Sequence, residues 1–197
     1  MMIKTRRLVV GISGATGIVY ASRLLELLKP TNVETHLVVS RAGDITRSQE
    51  TDLTSERLRG LADVTYTIGN IAAPLASGSF KTIGMVVLPC SMKTLAEIAT
   101  GLSESLLSRA ADVTLKERRR LVLMVRETPL NLIHLRNMLS VTEAGAIVFP
   151  PVPAFYTEPT SIEDMVTQTV GRILDLFDIE LPGIRRWGED VGMEKSD

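Results

Sequence analysis

Gly11-Ile12-Ser13-Gly14-Ala15-Thr16-Gly17 is the stretch of this sequence most plainly suited to hold a ligand. Glycines let a backbone approach closely, and a helix starting behind them would offer free amides and a positive dipole end to a phosphate. Ser13 and Thr16 place hydroxyls beside Gly14 and Ala15. The competing possibility is a tight turn with nothing bound. Three further stretches carry chemically capable side chains. Pro89-Cys90-Ser91-Met92-Lys93-Thr94 follows an apolar run, so Ser91 and Thr94 can cap a helix, face a ligand, or do both. Val125-Arg126-Glu127-Thr128-Pro129 follows another: Arg126 suits a phosphate held bidentately, and Glu127 suits proton transfer. An ordinary ion pair or cap at a helix start remains open for these two. In Pro150-Pro151-Val152-Pro153-Ala154-Phe155-Tyr156, three prolines stiffen a loop that presents two aromatic rings, either to a ligand or to the core.

The elements that would position these loops alternate between short β-branched runs and helical stretches, the pattern of a parallel sheet with crossover helices. Strands are expected at Arg7 to Ile12, His36 to Val39, Met85 to Leu88 (stopped by Pro89), Leu121 to Val125 and Ala146 to Phe149. Ala21, Leu24, Leu25 and Leu28 recur at helical spacing before Pro30. Further helices are expected at Ser55 to Leu61 with Ser55 as N-cap, from Thr94, over Ser105 to Glu117, and around Leu130 to Leu139. A long amphipathic one runs from Ile162 to Phe177, with Ile162, Met165, Val166, Val170, Ile173, Leu174 and Phe177 on one side. No linker or repeat divides residues 1–197, so one domain is expected, with a polar tail from about 180. That tail holds Trp187, the only tryptophan, which either packs on a site or neighbour or frays with the tail.

Lys plus Arg (22) balance Asp plus Glu (23), so the chain lacks the basic field of a nucleic-acid binder. The run Lys116, Arg118, Arg119, Arg120 reads as a solvated helix end. Cys90 is the single cysteine, consistent with a reducing compartment, and it has no histidine near it in sequence to activate it. His36 falls in a strand and His134 in a helix. No apolar run approaches the roughly 20 residues of a membrane span. A cytoplasmic protein is expected. Nicotinamide chemistry is disfavoured: the second strand ends Val39-Ser40-Arg41 without the acid that holds a ribose. Gly14-Ala15-Thr16-Gly17 looks like extended short-chain dehydrogenases, but Tyr20 replaces their next glycine and no Tyr-x-x-x-Lys pair occurs.

Taken in order, several stretches resemble the flavin prenyltransferases, the UbiX family, over nearly the whole chain. They are VGISGATG (Val10 to Gly17), ETHLVVS (Glu34 to Ser40), Glu50-Thr51-Asp52, ASGSF (Ala76 to Phe80) and LPCSMKTL (Leu88 to Leu95). SRAADVTLKERR (Ser108 to Arg119), LVLMVRETP (Leu121 to Pro129), PPVPAFY (Pro150 to Tyr156) and Arg186-Trp187 complete the set. The resemblance implies a three-layer, Rossmann-like (flavodoxin-like) doubly wound parallel sheet. It implies transfer of a dimethylallyl group, delivered as dimethylallyl monophosphate, to N5 and C6 of reduced FMN, without a metal. The prenylated FMN would pass to a UbiD-type decarboxylase, in ubiquinone synthesis or aromatic-acid breakdown.

Carried onto this sequence, FMN would be held by Ser13, Gly14, Ala15, Thr16, Ser40, Ser91, Met92, Lys93, Thr94 and Arg126. The prenyl phosphate would sit among Lys116, Glu127, Tyr156 and Arg172, with Glu50 and Trp187 joining the catalytic set. The resemblance also implies a homo-oligomer, tending to a dodecamer, with sites at subunit interfaces, so Lys116 would reach a phosphate in its own or a neighbouring subunit's site. Many members have serine where Thr16 stands. Absence of an Asp-Asp-x-x-Asp motif fits a monophosphate donor. Two rivals are an FMN-dependent decarboxylase and a non-catalytic flavin-carrying subunit of a decarboxylase. The first would display a catalytic histidine and an Asn-containing loop where Ser91 to Thr94 lies, whereas the only histidines here are His36 and His134.

Overall fold

A computed structural model describes residues 6–192. Six strands, β1 (Arg6–Ile12), β2 (Val33–Val39), β3 (Val64–Tyr66), β4 (Gly84–Cys90), β5 (Arg120–Val125) and β6 (Ile147–Val148), form one parallel sheet. Their order is β3-β2-β1-β4-β5-β6. The chain therefore winds outward from β1 in one direction, then returns to wind outward from β4 in the other. The crevice above the carboxyl ends of β1 and β4 is the place where such sheets bind ligands.

Seven helices cover the sheet: α1 (Ile18–Leu28), α2 (Arg41–Glu50), α3 (Ser55–Gly60), α4 (Met92–Thr100), α5 (Leu106–Lys116), α6 (Leu132–Glu143) and α7 (Ile162–Asp175). Each strand serves two cores because its side chains alternate between faces. Leu8, Val10 and Ile12 join Leu37, Val86, Leu88, Val122 and Met124 on the face covered by α1 and α7. Val9 joins Val38, Met85, Val87, Leu121 and Leu123 on the face covered by α4 and α5. Burial on both faces is why the strands read as unbroken apolar runs.

Several sequence expectations need correction. α2 was not expected because its ten residues bury only Gly43, leaving no apolar period to read. β3 escaped because it is a three-residue edge strand with no fully buried side chain. β4 passes through Pro89 to Cys90, the Leu88–Pro89 bond being cis, and the ladder to β5 shifts register between Val87 and Cys90 around it. Pro89 thus sits at an irregularity, where its missing N–H leaves no ladder bond unmade. Thr54, not Ser55, caps α3 by accepting from the Arg57 amide at 3.2 Å, and the Ser55 hydroxyl turns to Asp44 instead. Ile162 begins α7 exposed rather than on its buried side, because Ser161 caps the helix there in a capping box with Asp164.

The basic run does more than solvate a helix end. Arg119 donates to the Phe80 and Gly78 carbonyls, pinning the loop before β4, and Arg120 donates to the Leu176 carbonyl beyond α7. The polar tail is docked. Gln168 exchanges two hydrogen bonds with the Arg185 backbone, and Ile184 fills the space where a Cβ on Gly171 would fall 2.3 Å from it. Among the described residues, no helix is long and apolar enough to cross a membrane.

Leu25 is fully buried on the face of α1 that packs against the sheet. Leu25→Ala should lower unfolding stability by about 2–5 kcal/mol. In urea titration at fixed protein concentration, this reads as a lower midpoint with an unchanged slope.

Candidate functional site

Two loops meet at the switch point, and one buried hydroxyl ties them together. Ser13, between β1 and α1, is 1% exposed. Its Oγ donates to the Pro89 carbonyl at 3.0 Å and accepts from the Ser91 amide at 2.8 Å. The Ser13 amide also donates to Pro89 O, at 3.2 Å. Ser13 was expected to bond a ligand. Its single proton instead goes to Pro89, so it acts as a strut under the site.

Around this strut three helices begin. α2 starts at Ser40, whose Oγ accepts from the Gly43 amide at 3.0 Å. α4 starts at Ser91, whose Oγ accepts from the Thr94 amide at 3.3 Å and donates to Thr94 Oγ1 at 3.2 Å. α1 starts after Gly17, whose φ of 110° is a left-handed conformation natural to glycine. The amides of Gly17 and Ile18 are already taken, donating to Glu50 Oε2 at 2.9 and 3.1 Å. The dipole end expected to serve a phosphate is thus covered by Glu50, a carboxylate where the helix favours negative charge. Anion-binding capacity moves to the starts of α2 and α4.

Those two helix starts border a cleft of 380 Å³ lined by Gly14, Ser40, Ser91, Lys93 and Thr94, with Ile45, Ile68 and Leu107 supplying apolar wall. That volume lies within the range of small-molecule pockets, roughly 300–1,000 Å³. Gly14 is needed here because a Cβ on it would fall 2.4 Å from the Ala42 Cβ, so a larger residue would push α2 off the loop. Ala15 is half-buried and Thr16 exposed beside it. Met92 is half-buried at the first position of α4.

Arg126 and Glu127 leave the end of β5 next to this cleft, since the Arg126 amide donates to Cys90 O at 3.2 Å. Both are exposed. Glu127 Oε1 accepts from the Thr128 amide at 3.1 Å, and among the described residues neither side chain has an ion-pair partner. The ordinary ion pair considered from sequence is not made. Tyr156 lies in a short 3-10 turn (Phe155–Thr157) with Trp187 edge-on to its ring, centroids 5.5 Å apart. Arg172 pairs with Asp175 at 2.9 Å, and Asp175 also holds Arg186 at 2.7 Å, beside Trp187.

Lys116 is not brought to Glu127 within the chain. Its Nζ sits 2.5 Å from Glu117 Oε1, and the pair crowds Gly78 in the loop before β4. The ammonium holds the Glu117 carboxyl below its usual range. Lys116 precedes the first residue of β5 and Glu127 follows the last, so the strand's length, about 20 Å, separates them.

Glu97 is a site residue the sequence reading passed over. It lines the cleft and accepts from Lys93 Nζ at 2.7 Å, which raises the Lys93 pKa. The signal was present as an acid four residues after a lysine on one helix. Burial pushes the Cys90 thiol up, so no thiolate is on offer. His36 Nδ1 lies 2.9 Å from the Tyr66 hydroxyl and His134 caps α6 with Asn131, structural duties in both cases. Among the described residues, no group of three or more His, Cys, Asp or Glu is placed to hold a metal.

Residues 1–177 match the Flavoprotein family. A flavin prenyltransferase UbiX of Neisseria meningitidis serogroup B is 56% identical over 92% of this chain and 96% of its own length. A crystal structure of AnUbiX (PadA1) in complex with FMN and dimethylallyl pyrophosphate superposes with a TM-score of 0.91 at 56% identity, over 92% of this chain and 97% of that one. The dodecameric FMN-dependent UbiX-like decarboxylase of Escherichia coli O157:H7 superposes at 0.89 with 48% identity, over 92% and 98% of the two chains.

Ser13→Ala leaves the Ser91 amide without its acceptor and the Pro89 carbonyl with the Ser13 amide alone, at an expected loss of about 1–3 kcal/mol. Chemical denaturation checks this, and a change below about 0.5 kcal/mol would contradict the strut.

Proposed function

We propose, on the premise that this chain belongs to the Flavoprotein family and within it to the flavin prenyltransferases, that it joins a dimethylallyl group to N5 and C6 of reduced FMN. The observation that carries the residue assignment is the pair Arg126 and Glu127, charged, exposed and without an ion-pair partner among the described residues, with Arg126 tied through Cys90 O to the loop lining the cleft. The cleft fits FMN on its own features: apolar wall for a flat ring system, the closely packed Gly14 turn, and two uncovered helix starts for a phosphate. Reduced FMN supplies the nucleophilic nitrogen and carbon.

The chain's own residues do the rest. Ser40, Ser91 and Thr94 orient the flavin, with Gly14, Ala15, Thr16, Met92 and Lys93 bordering it, and Arg126 holds an anionic oxygen. Lys116 and Arg172 take up the charge that develops on the departing phosphate, a transition-state role for which fixed cations are suited. Glu127 moves the proton, from the flavin carbon or to the phosphate. Tyr156 and Trp187 supply aromatic rings whose faces suit allylic positive charge. No metal enters this account. Glu50 holds the start of α1 in the conformation described, and any proton-moving role requires it to release the Gly17 and Ile18 amides.

Lys116 reaches a prenyl phosphate only in the site of another copy, so the active form is a homo-oligomer, a dodecamer like the Escherichia coli relative. α6 offers a surface for assembly: Leu132, Ile133 and Leu139 are 59%, 65% and 59% exposed. The prenylated product passes to a UbiD-type decarboxylase, which performs the decarboxylation, and the lone buried Cys90 fits a reducing cytoplasm.

Anaerobic incubation with reduced FMN and dimethylallyl monophosphate, with the pyrophosphate in a parallel reaction, tests this directly. The extracted flavin should gain the mass of one prenyl unit, with the monophosphate as the better donor. Glu127→Gln should retain bound FMN while losing turnover by about 10²–10⁴-fold. Wild-type protein that returns unmodified flavin from both donors contradicts the assignment, and unchanged turnover in the variant contradicts the role of Glu127.

A further inference from the structure

The cleft wall contains an ion pair with an uneven distribution of solvent. Glu97 is 8% exposed, whereas the Lys93 side chain is 81% exposed. They stand one turn apart on α4, Nζ to Oε1 2.7 Å, and both line the cleft beside Ser91 and Thr94. A pair serving only to support a helix gains nothing from sinking its acid, since exposed partners four residues apart suffice for that. Burying a carboxylate is unfavourable unless it is paired, and Lys93 is the partner it has among the described residues. The arrangement has a geometric consequence. An ammonium carries three N–H donors and the bond to Glu97 uses one, leaving two for a ligand. It also fixes a four-carbon stem that would otherwise lose its rotamer freedom at the moment of binding.

We propose that Glu97 is a positioning residue: it holds the Lys93 ammonium at the mouth of the cleft, where it engages the phosphate-bearing end of the flavin and sets the preference for FMN over riboflavin. The inference rests on the flavin assignment of the cleft. The uncovered start of α4, capped by Ser91, already directs amides toward an anion at this end, and the secured ammonium adds a full charge to it. Without Glu97, Lys93 remains positive but is no longer placed. The loss should therefore fall on the ligand that carries the phosphate and spare the one that lacks it.

Titration of the assembled protein with FMN and with riboflavin, followed by quenching of flavin fluorescence, separates these effects. Glu97→Gln should weaken FMN by about 3- to 10-fold, the scale set by ordering one long side chain, and riboflavin by less than about twofold. Lys93→Met should lose at least as much of the preference, and the double variant should lose no more than Lys93→Met alone. Equal weakening of both flavins in Glu97→Gln, tighter FMN binding, or losses that multiply in the double variant would each overturn the inference. Wild-type protein that binds neither flavin overturns the flavin assignment itself. Wild-type protein that binds FMN, with a preference untouched by Glu97→Gln, overturns the positioning role alone.

Discussion

The Ser13 hydroxyl joins two segments that are 76 residues apart in sequence and adjacent only because β1 and β4 pair at the centre of the sheet. Everything at the switch point is registered to that contact. Through Pro89 O and the Ser91 amide it sets the height of the loop that starts α4, and through Cys90 O that loop sets where Arg126 leaves β5. Gly14, one residue on, can lie against Ala42 of α2 because the turn is held down. A ligand-binding cleft assembled from three loops needs a common reference, and a buried, fully bonded hydroxyl supplies one that solvent cannot displace.

Charge is arranged around this centre in two tiers. Near the cleft the positive ends of α2 and α4 remain uncovered, while α1 is closed by Glu50, so anion affinity is directed to one side. Lys116 and Arg172, the cations suited to a leaving phosphate, are instead engaged within the protomer by Glu117 and Asp175. Both cations stand about half exposed, so each can exchange its carboxylate partner for a phosphate. The proposed flavin cleft thus lies within one chain, whereas Lys116 is held at the far end of β5 from Glu127, and under the proposed function the two meet only across copies.

Much of this was legible in the sequence because buried parallel strands and glycine turns leave strong local marks. β1 and β5 read correctly since both faces are buried, and the Gly14 turn announced a close backbone approach. What stayed hidden was tertiary. α2 is a polar helix held by its Ser40 cap and by Glu50, with no apolar period, and β3 exists because β2 offers an edge. The inward turn of Ser13 cannot be read from a serine in a glycine-rich loop, since its partner, Pro89, comes from another strand. Motif order marks the family, whereas the duties of Ser13, Glu50 and Glu97 are set by which side chains and amides the fold brings beside them.

The central claim is that the flavin cleft and the phosphate-holding lysine of one site come from different copies of the chain. Mixing inactive Lys116→Met protein with inactive Glu127→Gln protein, after dissociation and joint reassembly, measures it most directly. Some mixed sites then carry Glu127 from one copy and Lys116 from another. The account predicts that prenylated flavin reappears in the mixture and not in either variant reassembled alone. Reassembled mixtures that stay as inactive as the parents would show that each chain builds its site unaided, and would contradict the account.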